Sequence, residues 1–212
     1  MTATQTVVGS FYELGVAIGI EGAMLEAYAA QDKHTGVDGG WYTGSLWTAE
    51  GRALYALTRA LNVHRAVEFG TWRGCSATHI AQALADARQD EYGVLECVDV
   101  WEGAGGDVPA ELRPYIMNIH VDMCDFAEEA VEIGAKYDLI FEDGPHDAGT
   151  VGFVWARAKD LLMPGGVIVS HDALHDTAGR HVRAGIEAAG ITPVYVSIGG
   201  SDCGLAVWRF NP

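Results

Sequence analysis

Short apolar runs rich in β-branched residues alternate along this chain with longer stretches whose apolar positions recur every three or four residues. That alternation is how a sheet covered by helices is written in sequence. The runs AVEF from Ala66, VLECVDV from Val94, IMNIHV from Ile116, YDLIFED from Tyr137 and VIVSHD from Val167 predict five strands. Between them, Ile80, Ala83, Leu84 and Ala87 share one helical face, and Val151, Val154, Trp155, Ala158 and Leu162 share another. Both helices are expected to cover a parallel sheet. The end of the chain reads differently: TPVYVSIG and GLAVWRF, joined by the turn GSDC, predict an antiparallel hairpin at the sheet edge.

Ahead of the first of these strands, FYELGVAIGIEGAMLEAYAA has the pattern of one helix or two, and Arg52 to Leu61 that of a helix leading into the strand. The glycine-rich, aromatic stretch HTGVDGGWYTGSLW lies between them, with Trp41, Tyr42 and Trp47 as contact surface if it is a lid. An ordinary surface loop or a dimer contact fits the same stretch. The organisation expected is a helical segment and lid over 1–47, followed by the main domain over 48–212.

Composition narrows the class. A chain of 212 residues, 49% hydrophobic, can bury one sizeable core. No apolar run reaches the roughly 18 residues that span a bilayer, and the first residues lack the basic-then-apolar order of a secretory signal, so a cytoplasmic protein without membrane contact is expected. With a net charge of −16 and only 13 basic residues, a broad phosphate-binding surface is disfavoured and a small or cationic partner favoured over nucleic acid. A homo-oligomer is left open. Cys75, Cys97, Cys124 and Cys203 lack metal-site spacing and are expected to be reduced thiols.

In open parallel sheets ligands bind beyond the carboxyl ends of the strands, near the point where strand order reverses. Acids, glycines and histidines gather at those ends: Glu68, Gly70 and Gly74 after the first run, Asp99 at the second, Asp122 after the third, Asp143 and His146 after the fourth, His171 and Asp172 after the fifth. The spacing Gly70-x-x-x-Gly74 is neither the G-x-G-x-x-G of dinucleotide sites nor a triphosphate loop. A tight strand-to-helix turn would use the same glycines. Glu68, however, places a carboxylate at the mouth of the turn, where it suits an ammonium or sulfonium and repels a pyrophosphate. The following helix N-terminus can hold a carboxylate, and Asp99 is placed for ribose hydroxyls. The implied ligand has an amino-acid end and a nucleoside end. Cys75 opens the same helix, but no base in the sequence pairs with it as a nucleophile.

These residues resemble a known family. VEFGTWRGCSA is similar to the cofactor motif of class I S-adenosylmethionine-dependent methyltransferases. IFEDGPHD and LLMPGGVIVSHDAL resemble later motifs of the small-molecule O-methyltransferase branch that includes catechol O-methyltransferase and the cephalosporin-hydroxylase-like group. The resemblance runs from about Thr48 to the final hairpin, and the first 45 or so residues match no motif. It implies an α/β, Rossmann-like doubly wound sheet of seven strands, mostly parallel with an antiparallel C-terminal strand. It also implies Glu68, Gly70, Thr71, Trp72, Gly74 and Ser76 at the methionine part of S-adenosylmethionine, Asp99 at the ribose and Asp122 with Met123 at the adenine, with Asp143 beside them.

By the same resemblance Asp143, His171 and Asp172 would hold a divalent metal. The family pattern there is all carboxylate or amide, so His171 is a departure that admits magnesium, manganese, a softer ion, or none. His146 stands where catechol O-methyltransferase has a lysine. A turn at Gly144–Pro145 would bring its ring back over the metal and acceptor as a general base, at an imidazole pKa near neutrality. The activity expected is transfer of the S-adenosylmethionine methyl group to a hydroxyl of a small molecule, in a pocket shaped partly by WEGAGGDVPAELRPY. N-methyl or aminopropyl transfer on the same fold, and a non-catalytic nucleoside-binding subunit, are the alternatives.

Overall fold

The structure, a computed structural model, describes residues 6–32, 46–87 and 93–212. Trp41 and Tyr42 lie outside these. In chain order the elements are β1 (Val7–Val8), α1 (Phe11–Ala17), α2 (Gly22–Ala29), α3 (Thr48–Ala60), β2 (Arg65–Phe69), α4 (Cys75–Ala87), β3 (Val94–Asp99), β4 (Ile116–His120), α5 (Met123–Glu132), β5 (Tyr137–Glu142), α6 (Ala148–Leu161), β6 (Leu162–Ser170), α7 (Ala178–Ala188), β7 (Val194–Val196) and β8 (Leu205–Arg209).

They form one sheet in the order β1-β7-β8-β6-β5-β2-β3-β4, in which β8 alone runs antiparallel to its neighbours. The doubly wound, mostly parallel α/β class is as expected, but the described strands number eight rather than seven. The extra one, β1, is only two residues long and pairs with β7. The hairpin is also not the edge of the sheet. Leu205, Ala206 and Val207 are fully buried, because β8 inserts between β6 and β7 and β7 takes β1 on its outer side.

Apart from β1, the strands feed two cores by alternation. Ala66, Leu139 and Phe141 point to the face covered by α3 and α4, where Leu54, Leu57, Ile80 and Leu84 are fully buried. Leu14 of α1 and Leu25 of α2 bury in that same core. Val67, Phe69 and Ile140 point to the opposite face, against Ala127 of α5, Val154 and Trp155 of α6, and Val182 and Ile186 of α7. Val151, Val154, Trp155 and Ala158 share the predicted buried face, while Leu162 is the first residue of β6 rather than part of the helix.

From β2 the chain winds outward to β3 and β4, then returns to β5 on the other side of β2. The reversal therefore lies between β2 and β5, and the segments leaving those two strands meet at the carboxyl end of the sheet.

Candidate active site

Two glycines make that meeting tight. Gly70 has a φ of +85°, and a Cβ there would stand 2.2 Å from the carbonyl oxygen of Asp143. Gly74, at φ +95°, would drive a Cβ into Val108 and Gly105 of the loop after β3. That loop is laced to the turn: the N–H groups of Gly105 and Asp107 donate to the carbonyls of Trp72 and Arg73, and Arg73 pairs with Asp107 at 2.6 Å. The stretch WEGAGGDVPAELRPY thus closes over the glycine turn, and its Val108 and Leu112 are buried in the core.

Beneath the turn, Glu68 is fully buried. Burial pushes its carboxyl up to about 7, partly offset by the hydroxyl of Ser76, which donates to Oε1. Among the described residues, its Oε2 and the buried Thr71 Oγ1 make no hydrogen bond of good geometry. Buried polar atoms left this way are costly and call for a ligand. A cavity of about 180 Å³ at the turn is lined by Leu46, Gly70, Thr71, Trp72, Cys75, Ser76, Asp143 and His146. The residues fit S-adenosylmethionine: a buried carboxylate held by Ser76 for its cationic end, and a glycine cradle for its backbone-like atoms. Burial raises the Cys75 thiol to about 12.

Asp99 ends β3 with its carboxylate accepting the backbone N–H of Trp72 and of Trp101, each at 2.8 Å. It therefore ties the glycine turn to the next strand end, and each oxygen keeps a lone pair for a hydroxyl. Asp122 is exposed and caps α5 by accepting from Cys124 N–H at 2.8 Å. Met123 is buried beneath Gly144, where a Cβ would meet its sulfur. A larger cavity, about 370 Å³, lies away from these residues and is lined by Ile20, Met24, Asp138, Gly165 and Arg209. It carries none of the predicted chemistry.

The second half of the site joins the ends of β5 and β6. His146 Nε2 lies 3.3 Å from Asp143 Oδ1 and 3.0 Å from Asp172 Oδ2. His171 Nδ1 lies 3.2 Å from the same Asp143 oxygen and 3.6 Å from Asp172 Oδ2. Asp172 holds a left-handed φ of +54°, a strained conformation that aspartate tolerates better than most residues and that clusters at functional sites. The hydrogen bond His146 donates to Asp143, with the charges of Asp143, Asp172 and Glu142, raises its imidazole above 6.5 although burial opposes the charged form. For His171, burial works against the charged form, but Asp143 and Glu50 outweigh it and raise the group well above 6.5. Asp143 is lowered despite its burial, chiefly by His171.

The residue that sequence reasoning missed is Glu50. The helix α3 starts at Thr48, one turn earlier than expected, and that turn places Glu50, only 2% exposed, against the cluster. Its Oε2 accepts from the Trp47 N–H and lies 2.9 Å from His171 Nε2, and its Oε1 accepts from Ser201 Oγ at 2.6 Å. A glutamate three residues into a helix, bonding back to the N-cap amide, was the available signal. His175, outside the cluster, accepts from the N–H groups of Thr177 and Ala178 and only caps α7.

Donor atoms of Asp143, His146 and Asp172 all lie within 4.8 Å of one another, as do those of His171, Asp172 and Cys203. Two carboxylates with imidazoles between them are a donor set that a divalent cation fits.

Residues 67–173, just over half of the chain, match the family model described as a methyltransferase domain. Solved structures share the fold. An O-methyltransferase from Bacillus cereus in complex with S-adenosylhomocysteine is 16% identical with a TM-score of 0.63, over 94% of this chain and 96% of that one. The O-methyltransferase TomG from Streptomyces achromogenes, in complex with S-adenosylmethionine, is 18% identical with a TM-score of 0.60, over 87% and 90%. The N-methyltransferase NodS from Bradyrhizobium japonicum, in complex with S-adenosylhomocysteine, is 21% identical with a TM-score of 0.57, over 89% and 96%. No curated protein matches the sequence. No helix among the described residues is long and apolar enough to cross a membrane. With the glycine turn over a buried acid, the acid at the next strand end and the family match across both, the chain belongs to the class I S-adenosylmethionine-dependent methyltransferases.

Proposed function

We propose that the chain transfers the methyl group of S-adenosylmethionine to an oxygen of a small-molecule acceptor, with a divalent cation at Asp143, Asp172 and His171. The observation that carries this reading is His146, whose Nε2 sits between Asp143 and Asp172 on the wall of the cavity that Gly70, Thr71 and Ser76 also line.

S-adenosylmethionine supplies an electrophilic methyl carbon; the protein supplies alignment and electrostatics. Glu68 and Thr71 bind the cationic end, Asp99 orients the ribose, and the turn at Gly70 excludes water on one side. Attack by an acceptor hydroxyl forms a carbon–oxygen bond as the carbon–sulfur bond breaks, with both of its electrons staying on sulfur. His146 takes the hydroxyl proton at Nε2, leaving a methyl ether and S-adenosylhomocysteine.

His146 can accept that proton only once the pull of the two carboxylates on its own proton is relieved. A dication held by Asp143 and Asp172 would offset their charge in place of the proton on His146. A divalent cation, when bound, also supplies the positive charge that lowers the pKa of a hydroxyl beside it.

The test is release of S-adenosylhomocysteine against a panel of phenols, catechols, alcohols and amines, with His146→Ala as the variant. Oxygen methylation is expected. The variant is expected to lose about 10²–10⁴-fold in kcat with cofactor affinity retained, the usual size of general-base assistance. The wild-type rate should rise with pH through a limb that reports loss of the imidazole proton, and the variant should lack that limb. Products methylated only on nitrogen would contradict the reading.

A further inference from the structure

One thiol stands within the cluster. Cys203 Sγ, a ring nitrogen of His171 and a carboxylate oxygen of Asp172 lie within 4.8 Å of one another. The arrangement is held by the backbone on both sides: Ala173 N–H donates to the Gly204 carbonyl at 3.1 Å and Leu174 N–H to the Cys203 carbonyl at 2.7 Å. Ser201 Oγ accepts from Cys203 N–H at 3.1 Å while donating to Glu50 Oε1. Glu50 Oε2 in turn meets His171 Nε2. A single buried carboxylate therefore fixes the imidazole and, through Ser201, the turn that carries the thiol. Carboxylates that orient metal-bound imidazoles from behind are the usual outer partners of metal centres.

We infer that the metal centre of this chain includes Cys203 as a ligand and selects a transition-metal dication of the zinc and cobalt class over magnesium. The inference rests on the proposed metal site and extends it to a named ligand and an ion class. Magnesium takes oxygen donors in near-ideal octahedra and keeps several waters. A set with an imidazole, a carboxylate and a thiol instead suits zinc, whose ligands are sulfur, nitrogen and carboxylate oxygen in a tetrahedron. Asp172 belongs to both donor groups. With His171 and Cys203 completing the metal set, His146 is left to handle the proton.

Titration of the full chain with Co²⁺, followed by absorption, reads the thiol directly. A sulfur-to-cobalt charge-transfer band in the near ultraviolet is expected in wild type and in Cys75→Ser, and is expected to vanish in Cys203→Ser. Calorimetry with Zn²⁺ and with Mg²⁺ should show zinc bound and magnesium weaker by on the order of 100-fold. Cys203→Ser should weaken zinc by at least about 10–100-fold, the loss that removal of even an outer partner brings. Circular dichroism of Cys203→Ser guards against misfolding, and the wild-type band needs no variant at all. Absence of the band in wild type, its persistence in Cys203→Ser, or magnesium binding as tightly as zinc would overturn the inference. Oxygen methylation with magnesium alone and no cobalt band would leave the methyl-transfer reading standing. A thiol-dependent band without any methyl transfer would do the reverse.

Discussion

Glu50 and His171 stand 121 positions apart in the chain, and Glu50 Oε2 lies 2.9 Å from His171 Nε2, with both side chains only 3% exposed. Helix α3 is thereby locked to the end of β6, and the imidazole is held with Nδ1 toward Asp143. Glu50→Ala is expected to destabilise the fold by about 1–3 kcal/mol, because His171 and Ser201 each lose a buried hydrogen-bond acceptor while His171 keeps Asp143. Glu50→Gln keeps an acceptor and should cost less. Urea denaturation checks both; a Glu50→Ala variant within about 0.5 kcal/mol of wild type, the range of neutral surface changes, would show that the pair holds nothing.

Gly70 and Gly134 both have positive φ, +85° and +70°, but only Gly70 is crowded, with the Asp143 carbonyl 2.2 Å from where a Cβ would sit; nothing lies within 4 Å at Gly134. Gly134→Ala should therefore cost about 1–2 kcal/mol from backbone strain alone. Gly70→Ala should cost more, and should also weaken S-adenosylmethionine binding by displacing Asp143. Equal destabilisation of the two, with cofactor affinity unchanged in both, would mean the close approach of β2 and β5 does not shape the site.

Stability should fall as pH rises from 5 to 8. Burial raises the carboxyls of Glu68 and Glu142 from 4.5 to about 7. The folded chain then binds more protons than the unfolded one between those values, so the stability present below 4.5 is lost as pH rises to about 7. Each carboxyl contributes on the order of 3 kcal/mol. His146 and His171, raised above 6.5, act in the same direction at higher pH, while the lowered Asp143 matters only below 3.8. Glu68→Gln should flatten the slope of thermal stability against pH. Because the cofactor's cation favours ionised Glu68, its binding near pH 7 should also release a proton, read by calorimetry in buffers of different ionisation enthalpy. Stability that climbs to pH 8, or binding heats independent of buffer, would contradict this assignment.

Much of the fold was legible because its signals are local. The five apolar runs carry strand period and length, and residues placed at their ends by sequence stand at strand ends in space. What escaped was set by partners far along the chain. Val7–Val8 is too short to show a period and becomes a strand only by pairing with β7. The hairpin pattern of the last two strands was visible, but not that β8 would pair with β6 and leave β7 to meet β1. Trp47 lacks a capping hydroxyl or carboxylate, so the first turn of α3, and with it Glu50, stayed hidden. Cys203 has no metal-site spacing because its neighbours in the cluster come from the end of β6, some thirty residues earlier.

S-adenosylmethionine is expected to bind across the carboxyl ends of β2 and β3, which isothermal calorimetry of the purified chain with that cofactor measures. Wild type is expected to bind it at one site per chain. Asp99→Ala is expected to weaken binding by about 1–3 kcal/mol, because it removes charge-assisted hydrogen bonds to the ribose and frees the Trp72 amide that holds the glycine turn. No heat with S-adenosylmethionine together with clear binding of NAD, or an Asp99→Ala variant that binds S-adenosylmethionine as tightly as wild type, would rule out this cofactor site.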